Sequence, residues 1–283
     1  MVGSPEMGRQ NIVCVLGMHR SGTSLLTRIL NLIGVYLGPE HDMSQPKFGN
    51  PRGHWEQSEI MLLNDAILKA FGGSWDAPPN FPPGWECAPL LDDVKQRTQT
   101  FIQDTFGEAE MWGWKDPRNC LTLPLWQQLL PNMRYVLCMR NPVDVAHSLA
   151  HRDSFSAGKS SNLWVRYVES GLAHSDGQPR LILFYEDLMA DWLTELRRLT
   201  AFLGMPERAE HPELQDAVQK FIEQGLQHHR TSLVQTVANT GITSRAKALF
   251  ITQRISVNFA GKKSISRTGK KSRLKTLLDF KRV

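Results

Sequence analysis

The chain has 283 residues, of which 41% are apolar and 22% are charged. These proportions are ordinary for a soluble protein with a sizeable core, although the length fits either one domain or two. The longest apolar run near the N-terminus, Ile12 to Gly17, is too short to span a bilayer or to act as a signal peptide. We therefore expect a cytoplasmic protein without a transmembrane segment.

The net charge of +5 is concentrated at the C-terminus. Residues 261–283 contain nine basic residues and one acid, so this tail carries +8 and the rest of the chain carries −3. Such a run is usually a solvated end and less often contacts anionic lipid, glycan or nucleic acid. We predict one domain over residues 1–260 and a basic, flexible tail over 261–283. No nucleic-acid partner is expected, and peripheral membrane contact by the tail stays open.

The cysteines carry no sign of disulfide or metal chemistry. Cys14, Cys87, Cys120 and Cys138 form no CxxC pair and no metal-ligand spacing. We predict a reduced protein with free thiols and no metal site.

Strand-like and helix-like segments alternate along the chain. A buried strand is predicted at Ile12–Leu16, and the helix after it stops at Gly34. A second helix is predicted from Gln57 to Phe71. The remaining elements are predicted strands at 110–114, 134–139 and 180–184, and helices at 142–152, 162–174, 188–203 and 212–227. This alternation favours a single α/β domain with a parallel sheet flanked by helices.

A loop rich in Pro and Trp runs from residue 74 to residue 89. It is long for a compact domain, and long loops often carry function. Its aromatic residues Trp75, Phe81 and Trp85 either form a lid or acceptor wall, or plug the edge of the core.

The segment Gly17-Met-His-Arg-Ser-Gly-Thr-Ser24 lies between a predicted strand and a predicted helix. This is the setting of a phosphate loop, where backbone N–H groups and the helix N-terminus bind an anion. Its spacing matches the loop of nucleotide triphosphatases, but Thr23 stands where those enzymes carry Lys. No later strand ends in an Asp for Mg²⁺, since Tyr135–Met139 runs into Arg140. The sequence therefore predicts a phosphate-like ligand that needs no metal.

The string GMHRSGTSLLTRIL resembles the 5′-phosphosulfate loop of sulfotransferases that use 3′-phosphoadenosine-5′-phosphosulfate (PAPS). It is most similar to the bacterial, carbohydrate-associated branch and more distantly to tyrosylprotein sulfotransferases. The resemblance covers roughly Asn11 to Gly204 and implies a P-loop α/β fold with PAPS as donor. It also implies the residues around the 5′-phosphosulfate: Arg20, Ser21, Gly22, Thr23 and Ser24. Arg20 is expected to act in catalysis as well, because it supplies a fixed positive charge.

The resemblance implies a second anion site, for the 3′-phosphate. The family uses an Arg at a strand end and a Ser eight residues on, which here are Arg140 and Ser148. Arg152 follows one helical turn later on the same face. Alternatively, Arg140 and Arg152 pair with Asp144 or Asp153 as ordinary ions.

Contacts nearer the adenine are less clearly marked. Tyr185, in the string FYEDL, resembles a nucleotide-contacting Tyr of the tyrosylprotein branch. Arg230 is a weaker candidate, and the glycine-rich region of the cytosolic family is not evident.

Two segments resemble those that supply the family's catalytic groups. In residues 50–56, Glu56 is the expected base and His54 is its rival, because an imidazole titrates near neutrality. In residues 114–118, Lys115 is expected to neutralise the leaving oxygen, unless it pairs with Asp116 at the surface. Asp116 is expected to orient this loop, and Arg118 either binds an anionic acceptor or caps a helix.

These features predict transfer of a sulfuryl group from PAPS to a hydroxyl, and the nearest branch suggests a carbohydrate or glycolipid acceptor. Two alternatives remain. A small-molecule kinase would need ATP and Mg²⁺, and a non-catalytic anion- or glycan-binding module would tolerate the loss of Glu56 and Lys115.

Overall fold

The computed structural model describes residues 10–44, 55–223 and 231–257. Four parallel strands form one sheet in the order β2-β1-β3-β4. Their bounds are β1 (Asn11–Leu16), β2 (Met111–Lys115), β3 (Arg134–Met139) and β4 (Arg180–Phe184). The strands are mostly apolar because parallel strands are covered on both faces. The predicted α/β class and parallel sheet are confirmed.

Helices connect the strands and cover both faces of the sheet. In chain order they are α1 (Thr23–Ile33), α2 (Ser58–Ala70), α3 (Asp92–Phe106), α4 (Asn119–Leu129), α5 (Pro142–Asp153), α6 (Ala157–His174), α7 (Tyr185–Ala190), α8 (Trp192–Leu203), α9 (Pro212–Glu223), α10 (Leu233–Ala238) and α11 (244–257). None of these helices is both long enough and apolar enough to cross a bilayer.

The two faces of the central strand β1 divide the core. Side chains alternate along a strand, so Ile12, Cys14 and Leu16 pack with α2, α4 and α6 on one face. Val13 and Val15 pack with α1, α8 and α9 on the other. The sheet is therefore a buried middle layer between two sets of helices.

Helix α4 was not predicted, and Pro124 inside it explains why. Proline has no N–H to donate to the carbonyl four residues earlier, so it normally ends a helix. Here the freed carbonyl oxygen of Cys120 accepts a hydrogen bond from Nδ1 of His174 on α6, at 3.2 Å. A contact 54 residues away in sequence thus supports a helix that the local pattern argues against.

Other boundaries also differ from the sequence prediction. Helix α3 was missed because its buried positions are spaced four apart in an otherwise polar stretch. The single helix predicted at 188–203 is two, because Asp191 caps a new helix by accepting from Thr194 N at 3.1 Å. Helix α6 begins at Ala157 rather than at Asn162 because Ser156 accepts from Lys159 N at 3.2 Å.

Helix α11 extends the packed domain beyond the region that resembles the family. Its Phe250 is buried and makes edge contacts with Trp164 and Phe184. The predicted basic tail, 261–283, lies outside the described residues, and the division of the chain at residue 260 stays a prediction.

Candidate active site

The carboxyl ends of all four strands meet at one edge of the sheet, where open α/β sheets bind ligands. They lead into Gly17 after β1, Asp116 after β2, Arg140 after β3 and Tyr185 after β4. The sheet therefore brings together four segments that are far apart in sequence.

The loop between β1 and α1 depends on two glycines. Gly17 has φ 146°, and a Cβ there would stand 2.5 Å from the carbonyl oxygen of Cys138. Gly22 has φ 89°, and a Cβ there would stand 2.3 Å from the Tyr185 ring. Both positions combine a left-handed backbone with close packing, so only glycine fits.

The N-terminus of α1 opens onto this loop. Within the described part of the chain, no side chain caps α1, and its first turn contains no acidic residue. The positive end of its dipole therefore favours an anion at this position.

Arg20 joins the loop to the second predicted anion site. Its backbone is left-handed, with φ 67°, a strained conformation that is common at functional sites. Its Nε donates to Oγ of Ser148 at 2.7 Å, although the two residues are 128 positions apart. Nη1 of Arg140 donates to the carbonyl oxygen of Arg20 at 3.2 Å. Arg20, which was expected at the 5′-phosphosulfate, thus contacts Arg140 and Ser148, which were expected at the 3′-phosphate.

Positive charge accumulates here. Burial, followed by repulsion from Arg152 and Arg140, lowers the pKa of Arg20, and Asp153 and Tyr185 offset this only in part. An anion placed among these guanidinium groups would relieve their repulsion.

Among the described residues, the buried side-chain atoms without a hydrogen-bond partner include Oγ of Ser21, whose residue is 0% exposed, and Nε of Arg140. Buried polar groups are normally paired. The orphaned donors and the only partly offset positive charge both fit a phosphate or phosphosulfate ligand.

Arg152 and Arg140 have different surroundings. Arg152 donates from Nε to Oδ2 of Asp153 at 2.7 Å, and its guanidinium lies 5.2 Å from the Trp75 ring centroid. The ion pair with Asp153 was one of the alternatives that the sequence left open. Arg140 instead lies 4.5 Å over the ring of Tyr185. The assignment of Arg152 to the 3′-phosphate stays a prediction.

Glu56 and Lys115 form a buried ion pair beside the loop. Nζ of Lys115 lies 2.6 Å from Oε1 of Glu56, and the two side chains are 1% and 8% exposed. The same ammonium donates to Oγ of Ser24 at 3.3 Å. Lys115 therefore pairs with Glu56 rather than with Asp116. His54, the rival base, lies outside the described residues.

Asp116 forms an ion pair with Arg118. The backbone N–H and Nε of Arg118 both donate to Oδ1 of Asp116 at 2.9 Å, and Nη1 donates to Asp65 on α2. Burial lowers the pKa of Arg118, but the two carboxylates outweigh it and the net shift is upward. Arg118 is 5% exposed. It is bound to these carboxylates instead of standing open to an anionic acceptor.

The aromatic residues of the loop at 74–89 divide into two groups. Phe81 and Trp85 stack at 4.1 Å, and Trp85 is buried against the core. The ring of Trp75 lies 4.6 Å from that of His19 in the loop between β1 and α1 (residues 17–22, the anion loop) and 5.7 Å from that of Phe155. Phe81 and Trp85 thus plug the core edge, whereas Trp75 borders the site.

The segment at 231–238 is held against the end of β3, which the sequence did not reveal. Asn141 caps α5 through Val143 N at 3.0 Å, as predicted. Its Nδ2 also donates to Thr231 O at 3.1 Å and to Thr236 Oγ1 at 2.6 Å. These partners are 90 or more positions away, so no local pattern signals them. Arg230, just before this segment, lies outside the described residues.

Fold and site define an α/β protein with a phosphate-type loop, a second cationic site and a buried carboxylate–ammonium pair. The family model described as "Sulfotransferase family" matches residues 13–210. The chain belongs to the sulfotransferase family, a family of transferases, and the predicted resemblance is confirmed.

Two relatives from nematodes carry the provisional name protein-tyrosine sulfotransferase. The protein of Caenorhabditis briggsae is 26% identical over 69% of this chain and 66% of its own length. The protein of Caenorhabditis elegans is 27% identical over 44% of this chain and 52% of its own length. The chain thus spans about two thirds of the length of the first relative and about half of the length of the second. Their names belong to the branch that we expected to be more distant.

A crystal structure of a sulfotransferase from Mycobacterium avium has a similar fold. The two structures align with a TM-score of 0.52 at 14% identity, covering 88% of this chain and 77% of the other. At this identity the likeness concerns the fold alone.

Proposed function

We propose that this protein transfers a sulfuryl group from PAPS to a hydroxyl of an acceptor, in the cytoplasm. The observation that carries the proposal is the contact of the two anion sites at Arg20, which bonds to Ser148 at 2.7 Å and accepts from Arg140 at 3.2 Å. PAPS carries a phosphosulfate and a phosphate on one ribose. A protein that binds it therefore needs two cationic sites within the reach of one nucleotide.

The donor's two charged ends would be held by different groups. The 5′-phosphosulfate would lie on the N-terminus of α1, among the residues of the loop: Arg20, Ser21, Gly22, Thr23 and Ser24. The 3′-phosphate would be bound by Arg140 and Ser148, since charge-assisted hydrogen bonds to phosphate are strong. Arg152 and Tyr185 are proposed as further contacts with the nucleotide.

In the reaction, the acceptor oxygen attacks sulfur and Glu56 takes the hydroxyl proton. The bond from sulfur to the bridging phosphate oxygen breaks, and adenosine-3′,5′-bisphosphate leaves. Lys115 and Arg20 neutralise the charge that develops on the leaving oxygen. An ammonium group has three N–H donors, so Lys115 can hold Glu56 and Ser24 and still donate to the reacting group. His54 remains the rival base.

For the acceptor, the loop resemblance favours a carbohydrate or glycolipid hydroxyl. The names of the two nematode relatives favour a tyrosine hydroxyl instead. Both classes belong in the acceptor screen, and the choice between them leaves the donor chemistry unchanged.

The test is transfer of radiolabelled sulfate from PAPS to a panel of saccharides, glycolipids and tyrosine peptides. A thermal-shift comparison of adenosine-3′,5′-bisphosphate with ATP–Mg²⁺ accompanies it. We expect labelled product with at least one acceptor, and stabilisation by the bisphosphate well above that by ATP–Mg²⁺. Greater stabilisation by ATP–Mg²⁺ would favour a kinase. Binding of the bisphosphate without transfer to any acceptor would favour a non-catalytic module.

A further inference from the structure

Three charged side chains join helix α2 to the end of strand β2. Arg118 binds Asp116 through its backbone N–H, through Nε at 2.9 Å and through Nη2 at 2.8 Å. The same guanidinium reaches across to Asp65 on α2. Because Arg118 presents a planar fork of donors, it can hold both carboxylates in fixed directions.

A second contact lies one residue away on α2. Asn64 is 0% exposed and donates to Oδ1 of Asn119 at 2.9 Å. Its own Oδ1 accepts from Thr122 Oγ1 at 2.7 Å and from Trp126 Nε1 at 3.0 Å. The side chain is thus well satisfied by α4, and such buried networks favour one arrangement of the helices they join.

These contacts bear directly on the candidate catalytic pair. Glu56 lies two residues before α2, and Lys115 is the last residue of β2. The position of α2 relative to the turn at 116–118 therefore sets where Glu56 meets Lys115, at 2.6 Å.

Arg118 also neutralises the charge of Asp116 through their ion pair. Asp116 is adjacent to Lys115 in sequence and is 0% exposed. A buried carboxylate without a partner is costly, so the loss of Arg118 would leave an unpaired charge in the turn that follows Lys115.

We infer that Arg118 and Asp65 are positioning residues that hold α2 so that Glu56 lies opposite Lys115. The inference rests on the proposed function, because it assigns these residues a purpose in that reaction. They act through Glu56 and need no contact with donor or acceptor.

Asp65→Ala tests the inference, because the Asp65 side chain is 36% exposed and its loss leaves Arg118 paired with Asp116. We expect kcat to fall about ten-fold, since small misplacements of catalytic groups are costly. The affinity for adenosine-3′,5′-bisphosphate should not change. Arg118→Lys keeps the charge but loses the fork, and should lower kcat in the same way.

Glu59→Ala is the matched control. Glu59 lies on the same helix and makes an ion pair of 2.7 Å with Arg97 of α3, away from the turn at 116–118. This variant should retain kcat within two-fold. Equal losses of kcat in Asp65→Ala and Glu59→Ala would overturn the inference, and so would a loss of nucleotide affinity that matches the loss of kcat.

A double-mutant comparison separates positioning from a general structural effect. If Asp65 acts through Glu56, Asp65→Ala should have no further effect on the residual rate of Glu56→Gln. Additive effects would contradict the inference.

If the wild-type protein transfers sulfate to no acceptor, the proposed function fails, and amide hydrogen exchange still tests the tie. Faster exchange throughout α2 in Asp65→Ala, but only in its first turn in Glu59→Ala, would support it. Wild-type exchange in Asp65→Ala would overturn it.

Discussion

The carboxylate of Glu56 is the group whose removal has the most defined consequence. Glu56→Gln preserves the shape of the side chain and leaves an oxygen that can accept a hydrogen bond from Lys115. In the wild-type protein, Nζ of Lys115 lies 2.6 Å from Oε1 of Glu56. It removes the negative charge and the ability to take a proton from the acceptor. The substitution therefore separates proton transfer from the packing around it.

The expected loss of turnover follows from the role of the Glu56 carboxylate in the transition state. The expected loss of stability follows from its ion pair in the folded protein. A positioned general base contributes about 10²- to 10⁴-fold to a rate, which corresponds to about 3–5 kcal/mol of barrier. Breaking a buried ion pair by removing one partner costs about 3–5 kcal/mol of stability. The retained hydrogen bond should place Glu56→Gln below that range.

The assay needs three measurements on the same preparation. Turnover is followed as sulfate transferred from PAPS, stability by urea unfolding, and nucleotide binding by calorimetry with adenosine-3′,5′-bisphosphate. We expect turnover to fall at least 100-fold with nucleotide affinity unchanged to within about three-fold, because a base acts mainly in the transition state. Glu59→Gln, at a half-buried position of α2 that faces Arg97 of α3, is the control and should behave like the wild type.

Turnover within a few-fold of wild type in a folded, nucleotide-binding Glu56→Gln would refute the reasoning. If His54→Ala is the inactive variant instead, the base roles of His54 and Glu56 must be exchanged.

Three further predictions concern the surroundings of the site. Native protein should react with one equivalent of iodoacetamide, at the exposed thiol of Cys87. The other three thiols, of Cys14, Cys120 and Cys138, are buried, and burial raises their pKa. Labelling of more than one thiol in folded protein would contradict this prediction. Burial raises the pKa of Glu186 above 4.5, so the folded state binds a proton more tightly and this group's contribution to stability declines as pH rises from 4.5. Urea unfolding between pH 4.5 and 7 should show a smaller decline in Glu186→Gln, and an identical decline would be the contrary result. Gly22→Ala should abolish bisphosphate binding in calorimetry, because its Cβ would stand 2.3 Å from the Tyr185 ring; wild-type affinity would show that the loop tolerates the change.

Features with a local cause could be predicted from the sequence. Helix α1 ends at Gly34, whose φ of 115° suits glycine, and α5 begins with the side-chain cap of Asn141. The anion loop was found because a strand, two glycines and a helix follow one another within a few residues. The parallel sheet followed from the alternation of segments.

Features decided by tertiary contacts could not be predicted. Lys115 stands next to Asp116 in sequence, yet its ammonium pairs with Glu56 from 59 positions away, and Asp116 pairs with Arg118. Helix α4 continues past Pro124, and His174 on α6 donates a hydrogen bond to the carbonyl oxygen of Cys120 that the proline leaves without its helical partner. The polar Asn64 within the apolar face of α2 was the one local sign that this helix is tied to α4.

The proposed binding of PAPS requires one nucleotide to reach from the anion loop to Arg140 and Ser148. The most direct test is calorimetry of Arg140→Ala with two ligands, adenosine-3′,5′-bisphosphate and adenosine-5′-phosphosulfate, which has no 3′-phosphate. A hydrogen bond to a charged group is worth about 1.5–3 kcal/mol, so we predict a loss of roughly 10- to 100-fold for the bisphosphate and little loss for the phosphosulfate. Equal losses for the two ligands would contradict the assignment of Arg140 to the 3′-phosphate.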